Sequence, residues 1–337
     1  MRVAAIGAVV AAGMGLIIGL PLLFPDKAVQ TELKQATEGQ LKLPADKQKD
    51  LFDTADQITG ENVRIKPSVT ALENGYALRP LMGLDSRVAK FEILHNGKVV
   101  YSKDFEGESD DISIISPLIA GESEPVSGTL PMTRDITGDG IPDLVVLDYT
   151  GGAHCCYEYS IFSLGDQFKK LATLDGRDSP MTFQDIDGDG VFEVRGRDST
   201  FAYWNAAFVD SVLPAIVLRF REGKYELASN IMRSPAPERS LLEERIRQIR
   251  EDMKPQSPGT SSPLNLSPSL WNCMLELVYS GNGNLAWKVL EEVWPAGKAA
   301  WSIHEGEVSR DQFLRRFKSQ LATSPYWPDI KELNHWS

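Results

Sequence analysis

Between residues 62 and 237 the apolar side chains fall in short runs, often at every second position, broken by Gly, Asn and Asp. A period of two puts alternate side chains on opposite faces of a strand, so this stretch predicts a mainly antiparallel β domain. The clearest case is "VAKFEILHNGKVVYSKDF" (88–105), where alternating positions flank Asn96-Gly97, a dipeptide suited to a two-residue hairpin turn with positive φ at both positions. "DLVVLDY", "YEYSIFSL", "FKKLATL", "AIVLRF" and "KYELAS" read as further strands.

From residue 238 the period changes. "RSLLEERIRQIREDM" (239–253) sets Leu241, Leu242, Ile246 and Ile249 on a helical stripe, and a Pro/Ser-rich linker follows, so 238–268 reads as a helix and linker. Ser267 before Pro268 predicts an N-cap with proline in the first turn, and Ser309 with Gln312 has capping-box spacing. Residues 269–337 are therefore expected to form a small α-helical C-terminal domain. It holds Trp271, Trp287, Trp294, Trp301, Trp327 and Trp336, six of the seven tryptophans. A small bundle needs large side chains to bury enough area, so these are expected to fill a core and not to line a peptide groove.

At the other end, "VAAIGAVVAAGMGLIIGLPLLF" (3–24) carries no charge. Such a run matches the roughly 30 Å apolar thickness of a bilayer and is longer than the core of a cleaved signal peptide. It reads as an N-terminal signal-anchor or transmembrane helix, with Arg2 and the amino terminus held on the cytoplasmic side. Residues 25–61 are a polar spacer, and the rest of the chain is expected in the periplasm or outside the cell. Periplasmic secretion after signal cleavage is the alternative. With 47 acidic against 35 basic residues, the net charge of -12 argues against a nucleic-acid partner.

Inside the β domain, "DITGDGIPD" (135–143) returns as "DIDGDGVFE" (185–193), 50 residues later (185 − 135). Side-chain oxygens stand at loop positions 1, 3, 5 and 9: Asp135, Thr137, Asp139 and Asp143, then Asp185, Asp187, Asp189 and Glu193. The backbone carbonyls of Ile141 and Val191 fall at position 7, and Gly140 and Gly190 at position 6, where the chain must turn sharply. Alternating oxygens on a curled loop converge as Ca²⁺ requires, although Asp and Gly also mark plain turns. An EF-hand would place Glu at position 12, where Val146 and Gly196 stand, and would continue as a helix.

The loops instead resemble the FG-GAP and VCBS-type repeats of integrin-like β-propellers. That resemblance implies Ca²⁺ held by Asp135, Asp139, Asp143, Asp185, Asp187, Asp189 and Glu193. It implies a partial propeller or a sandwich-like domain, because the length allows about three repeats and a closed propeller needs at least four. Thr137 in place of a carboxylate suggests that the first loop binds the ion more weakly. The expected function is an extracytoplasmic calcium-binding scaffold that engages a protein or glycan ligand at the outer face.

"YTGGAHCCYEYSIF" offers the competing chemistry. His154, Cys155 and Cys156 lack the four ligands of a zinc site, and adjacent cysteines are not the Cys-x-x-Cys of thiol exchange. The expected outcomes are a disulfide between neighbours or one of the pair bonded to Cys273, with buried thiols as a further structural outcome and a thiol-disulfide redox protein or a hydrolase centred on His154-Cys155-Cys156 as the alternative function. No Ser-His-Asp order or phosphate-binding glycine loop is visible, so no catalytic set is assembled. The Gly-Gly-Ala-His-Cys-Cys run is similar to one in bacterial proteins of unassigned function.

Overall fold

Valine, isoleucine and aromatic residues build three five-stranded sheets in the computed structural model of the protein, and a smaller three-stranded sheet lies among the C-terminal helices. It describes residues 63–64, 69–83, 88–109, 111–115, 118–119, 133–149, 156–255, 262–302 and 306–337. The anchor expected at 3–24 and the spacer at 25–61 lie outside the described residues. Among the described residues no helix is long and apolar enough to cross a membrane.

The first sheet contains β1 (Val63–Arg64), β2 (Thr70–Ala71), β3 (Tyr76–Gly83), β4 (Val88–His95) and β5 (Lys98–Ser109). Its β4–β5 hairpin turns at Asn96 and Gly97, with φ of 51° and 81°, as the dipeptide predicts. The second sheet contains β6 (Asp111–Ile115), β8 (Thr133–Arg134), β9 (Asp143–Tyr149), β10 (Tyr157–Leu164) and β11 (Phe168–Arg177). The third contains β7 (Leu118–Ile119), β12 (Thr182–Asp185), β13 (Glu193–Arg197), β14 (Ala215–Arg221) and β15 (Lys224–Leu227). Within these three sheets the pairings are antiparallel, apart from β7 with β12. The 50-residue sequence repeat has a structural counterpart: strand, acidic loop and three strands run as β8–β11 and again as β12–β15.

The second sheet is buried on both faces, which is why "LVV" and "SIF" show no polar alternation. Leu144, Val146, Phe162 and Leu164 pack on Tyr76, Leu78, Phe91 and Ile93 of the first sheet. Val145, Tyr159 and Ile161 point the other way and join Phe183, Val194, Ile216 and Leu218 of the third.

That second cluster continues without a break into the C-terminal helices, so the helical part shares its core with the sheets. The helices Arg239–Asp252, Pro268–Tyr279, Gly283–Val293, Arg310–Leu321 and Trp327–Leu333 surround Trp271 and Trp294, both fully buried. Ser267 caps the Pro268 helix, and Ser309 with Gln312 makes both bonds of a capping box. Within 254–268, read as linker, Leu264–Asn265 forms β16, which pairs with β17 (Ala299–Ser302), itself paired with β18 (Gly306–Ser309). Two side chains depart from expectation. Leu241 is 59% exposed, because consecutive helical positions lie about 100° apart and only one of Leu241 and Leu242 can face inward. Trp301 is 53% exposed on β17 and fills no core, its strand neighbour Ala300 pointing inward instead.

Candidate functional site

The two acidic loops connect β8 to β9 and β12 to β13, and they fold by the same hydrogen bonds. In the first, Asp135 Oδ1 accepts from the N–H of Gly138 (2.7 Å) and Asp139 (3.2 Å), and its Oδ2 from the N–H of Gly140 (2.7 Å). Asp139 Oδ1 accepts from Ile141 N (2.9 Å). In the second, Asp185 accepts from Gly188 N (2.7 Å) and Gly190 N (3.2 Å), and Asp189 Oδ1 from Val191 N (2.9 Å). The four glycines carry φ between 78° and 88°, a region closed to most side chains, which lets the backbone N–H groups turn inward.

The last carboxylate of each loop opens a strand and is fully buried. Asp143 Oδ2 accepts from Ile136 N (3.0 Å) and the Thr137 hydroxyl (3.1 Å); Glu193 Oε2 accepts from Ile186 N (2.9 Å). The longer Glu193 thus reaches the same backbone position as Asp143. In both, the second oxygen, Asp143 Oδ1 and Glu193 Oε1, is buried without a hydrogen-bond partner. Burial pushes the Asp143 carboxyl up to about 7, with the charges of Asp139 and Asp135 adding to it against the Ile136 and Thr137 hydrogen bonds. Glu193 is raised by the same burial.

Ligand atoms of Asp185, Asp187 and Glu193 lie within 4.8 Å of one another, and among the described residues no other acidic trio is so gathered. In the first loop Thr137 occupies the position of Asp187, and its hydroxyl donates to Asp143. These residues fit a hard divalent cation: the donors are oxygens, and each loop holds one buried carboxylate oxygen that accepts no hydrogen bond. Asp135, Thr137, Asp139 and Asp143 would hold it in the first loop and Asp185, Asp187, Asp189 and Glu193 in the second, with the position-7 carbonyls of Ile141 and Val191 as further candidates.

Two features have no counterpart in the sequence reading. The loops abut: Phe192 N donates to Ile136 O at 2.9 Å, and Gly138 lies against Val191. Arg219, on β14 directly across from Glu193, sends its guanidinium into the second loop, pairing with Asp187 (3.2 Å), Asp189 and Glu193 (3.5 Å). Asp189 is held below the usual carboxylate range by the Val191 N–H and by Arg219. A lone arginine in a strand gives no sign of this, because the register that brings it to the loop is a tertiary fact.

Beside the first loop is a cleft of about 560 Å³ lined by Asn74, His95, Asn96, Gly140, Ile141 and Asp166 among others. A second, of about 440 Å³, lies among Trp287, Trp327 and Trp336. Of the cysteine motif, His154 and Cys155 lie outside the described residues. Cys156 is disulfide-bonded, and Cys273 is a free buried thiol. The proposed pairing of Cys273 with the neighbouring cysteines is therefore corrected: its helix turns it into the core, where burial raises the thiol pKa.

No protein-family model matches the chain, and no solved structure matches it. Over 79 residues the chain is 35% identical to a protein of Sinorhizobium fredii described as uncharacterised, covering 23% of this chain and 12% of that one. Over 110 residues it is 26% identical to a probable thylakoid lumen protein of Synechocystis, covering 32% of each. The matched stretches thus span about a third or less of these relatives' lengths.

Proposed function

We propose that the chain is an extracytoplasmic calcium-binding scaffold that engages a protein or glycan ligand, built on loops of the FG-GAP and VCBS type. The observation that carries the reading is the pair of buried carboxylate oxygens, Asp143 Oδ1 and Glu193 Oε1, each closing a loop of acidic side chains and each without a hydrogen bond, Glu193 Oε1 having only the Arg219 ion pair at 3.5 Å. Leaving such groups unsatisfied is costly, and a bound cation removes the cost. Oxygen donors and a glycine-curled backbone favour Ca²⁺ over Zn²⁺, which takes nitrogen and sulfur. The face-to-face stacking of three sheets built around antiparallel strands supports a partial propeller, with the acidic loops in corresponding positions of two repeats. The cleft beside the first loop is the surface we assign to the partner.

The outward location rests on the uncharged run 3–24, with a single-pass anchor in the cell membrane as the leading form and a cleaved signal as the other. The description of the Synechocystis relative as a probable thylakoid lumen protein is in keeping with a compartment outside the cytoplasm. Millimolar Ca²⁺ there suits sites with Kd of about 10⁻⁴–10⁻³ M.

The test is calorimetric melting of the purified chain with EDTA and with added Ca²⁺, together with a direct Ca²⁺ titration. An ion at roughly 100 times its Kd adds about 2.7 kcal/mol per site, so Ca²⁺ should raise the melting temperature by several degrees, and Mg²⁺ at equal concentration by less. Superimposable melting curves with chelator and with Ca²⁺ would end this reading.

A further inference from the structure

The two loops share their backbone hydrogen bonds but differ in what stands across the strand from the closing carboxylate. On the strand that follows, Asp143 on β9 is in register with Ser163 on β10 and Glu193 on β13 with Arg219 on β14; on the strand that precedes, Asp143 is in register with Arg134 on β8 and Glu193 with Gln184 on β12. Cross-strand partners share a face of the sheet, so Arg219 is delivered to the second loop by strand pairing alone. Its Nη1 lies 3.2 Å from Asp187 Oδ2 and 3.5 Å from Glu193 Oε1, and its Nη2 bonds Asp189 Oδ2.

The consequence for an incoming ion follows from counting oxygens. Asp189 has one oxygen on the Val191 N–H and the other on Arg219. Both oxygens of Asp185 accept backbone N–H bonds. Asp187 shares one oxygen with the guanidinium, and Glu193 Oε1, fully buried, faces it beyond hydrogen-bond length. A divalent cation among Asp185, Asp187 and Glu193 would therefore sit within a few ångströms of a fixed positive charge and would have to draw Asp187 and Asp189 away from it. Like charges at that separation in a partly buried site repel by kcal/mol, not tenths.

We propose that Arg219 is the resident counter-cation of the second loop: it competes with the divalent ion there, lowers that loop's affinity, and holds its shape when no ion is bound. The inference rests on the calcium reading above. By this account the second loop, though richer in carboxylates and already gathered, binds the ion less tightly than it would without Arg219.

The experiment uses the full chain, stripped with chelator and titrated with Ca²⁺ by calorimetry. The first loop is disabled by Asp135→Asn, and the second is then read with Arg219 intact, as Arg219→Lys and as Arg219→Gln. Far-UV circular dichroism confirms that each variant is folded, and Arg219→Lys keeps the test alive if Arg219→Gln is not. Removing the charge should tighten Ca²⁺ binding by roughly tenfold or more, while Arg219→Lys should remain weak. In EDTA, Arg219→Gln should melt below the parent, and added Ca²⁺ should raise its melting temperature by more than it raises the parent's. Equal affinity for Arg219 intact and Arg219→Gln, or loss of binding in Arg219→Gln, overturns the inference and leaves the calcium reading standing. Absence of Ca²⁺ binding in the unmutated chain and in every variant ends both.

Discussion

Gly138 shows how much of the candidate site depends on one missing side chain. Its φ is +79°, and a Cβ there would lie 2.7 Å from Val191 Cγ2 in the other loop. Gly140 has nearly the same φ, +80°, with nothing within 4 Å of an added Cβ. The pair separates backbone strain from contact. Gly140→Ala should lose about 1 kcal/mol for the left-handed conformation alone, and Gly138→Ala roughly 2–3 kcal/mol because the two loops must also part. Urea denaturation in EDTA measures both. Equal losses would mean that Val191 yields freely and that the loops are not tightly coupled. The glycine positions were legible from spacing, since a curled acidic loop needs positive φ there. The neighbour across the gap was not, because it is set by the packing of one repeat on the next.

At the scale of elements, the third sheet is joined to the helices by Asp198, directly after β13. Its Oδ1 accepts from Thr200 N (2.8 Å) and caps the short helical turn Ser199–Phe201. Its Oδ2 accepts the hydroxyls of Tyr279, on the Pro268–Tyr279 helix, and Ser324, in the turn between the last two helices, each at 2.6 Å. Asp198 is buried and fully bonded, so its removal strands two hydroxyls inside the protein. Asp198→Ala is expected to cost roughly 2–4 kcal/mol, and Tyr279→Phe, which removes only one bond, about 1 kcal/mol. Chemical denaturation checks this, and an Asp198→Ala loss no larger than that of Tyr279→Phe would show that the junction lies elsewhere. Strand positions such as Asp143–Tyr149 and Tyr157–Leu164 were readable because buried runs bounded by turn residues admit few alternatives. Asp198 was not, since a lone Asp near Ser and Thr looks the same whether it caps a surface turn or ties a helix and an inter-helix turn to the sheet.

At the scale of the molecule, one hydrophobic cluster runs from the second sheet through the third into the helices, with Trp204 of the β region meeting Trp271 edge-on at 5.6 Å. A shared core couples the unfolding of its parts. Tryptophan fluorescence, which reports mainly on the helices, and far-UV circular dichroism, which also follows the sheets, should therefore give coincident urea transitions. Separate midpoints would show that the helical part unfolds on its own. What the chain determined by itself was local: strand and helix positions from hydrophobic period, caps and turns from Ser, Asn and Gly, and the curl of two acidic loops from alternating carboxylates, because these follow from interactions a few residues apart. Only the tertiary structure decided what those pieces meet. Strand register brought Arg219 to Glu193, sheet stacking set Gly138 against Val191, and helix packing left Cys273 a buried thiol, since each depends on surfaces meeting across tens of residues that no local pattern encodes.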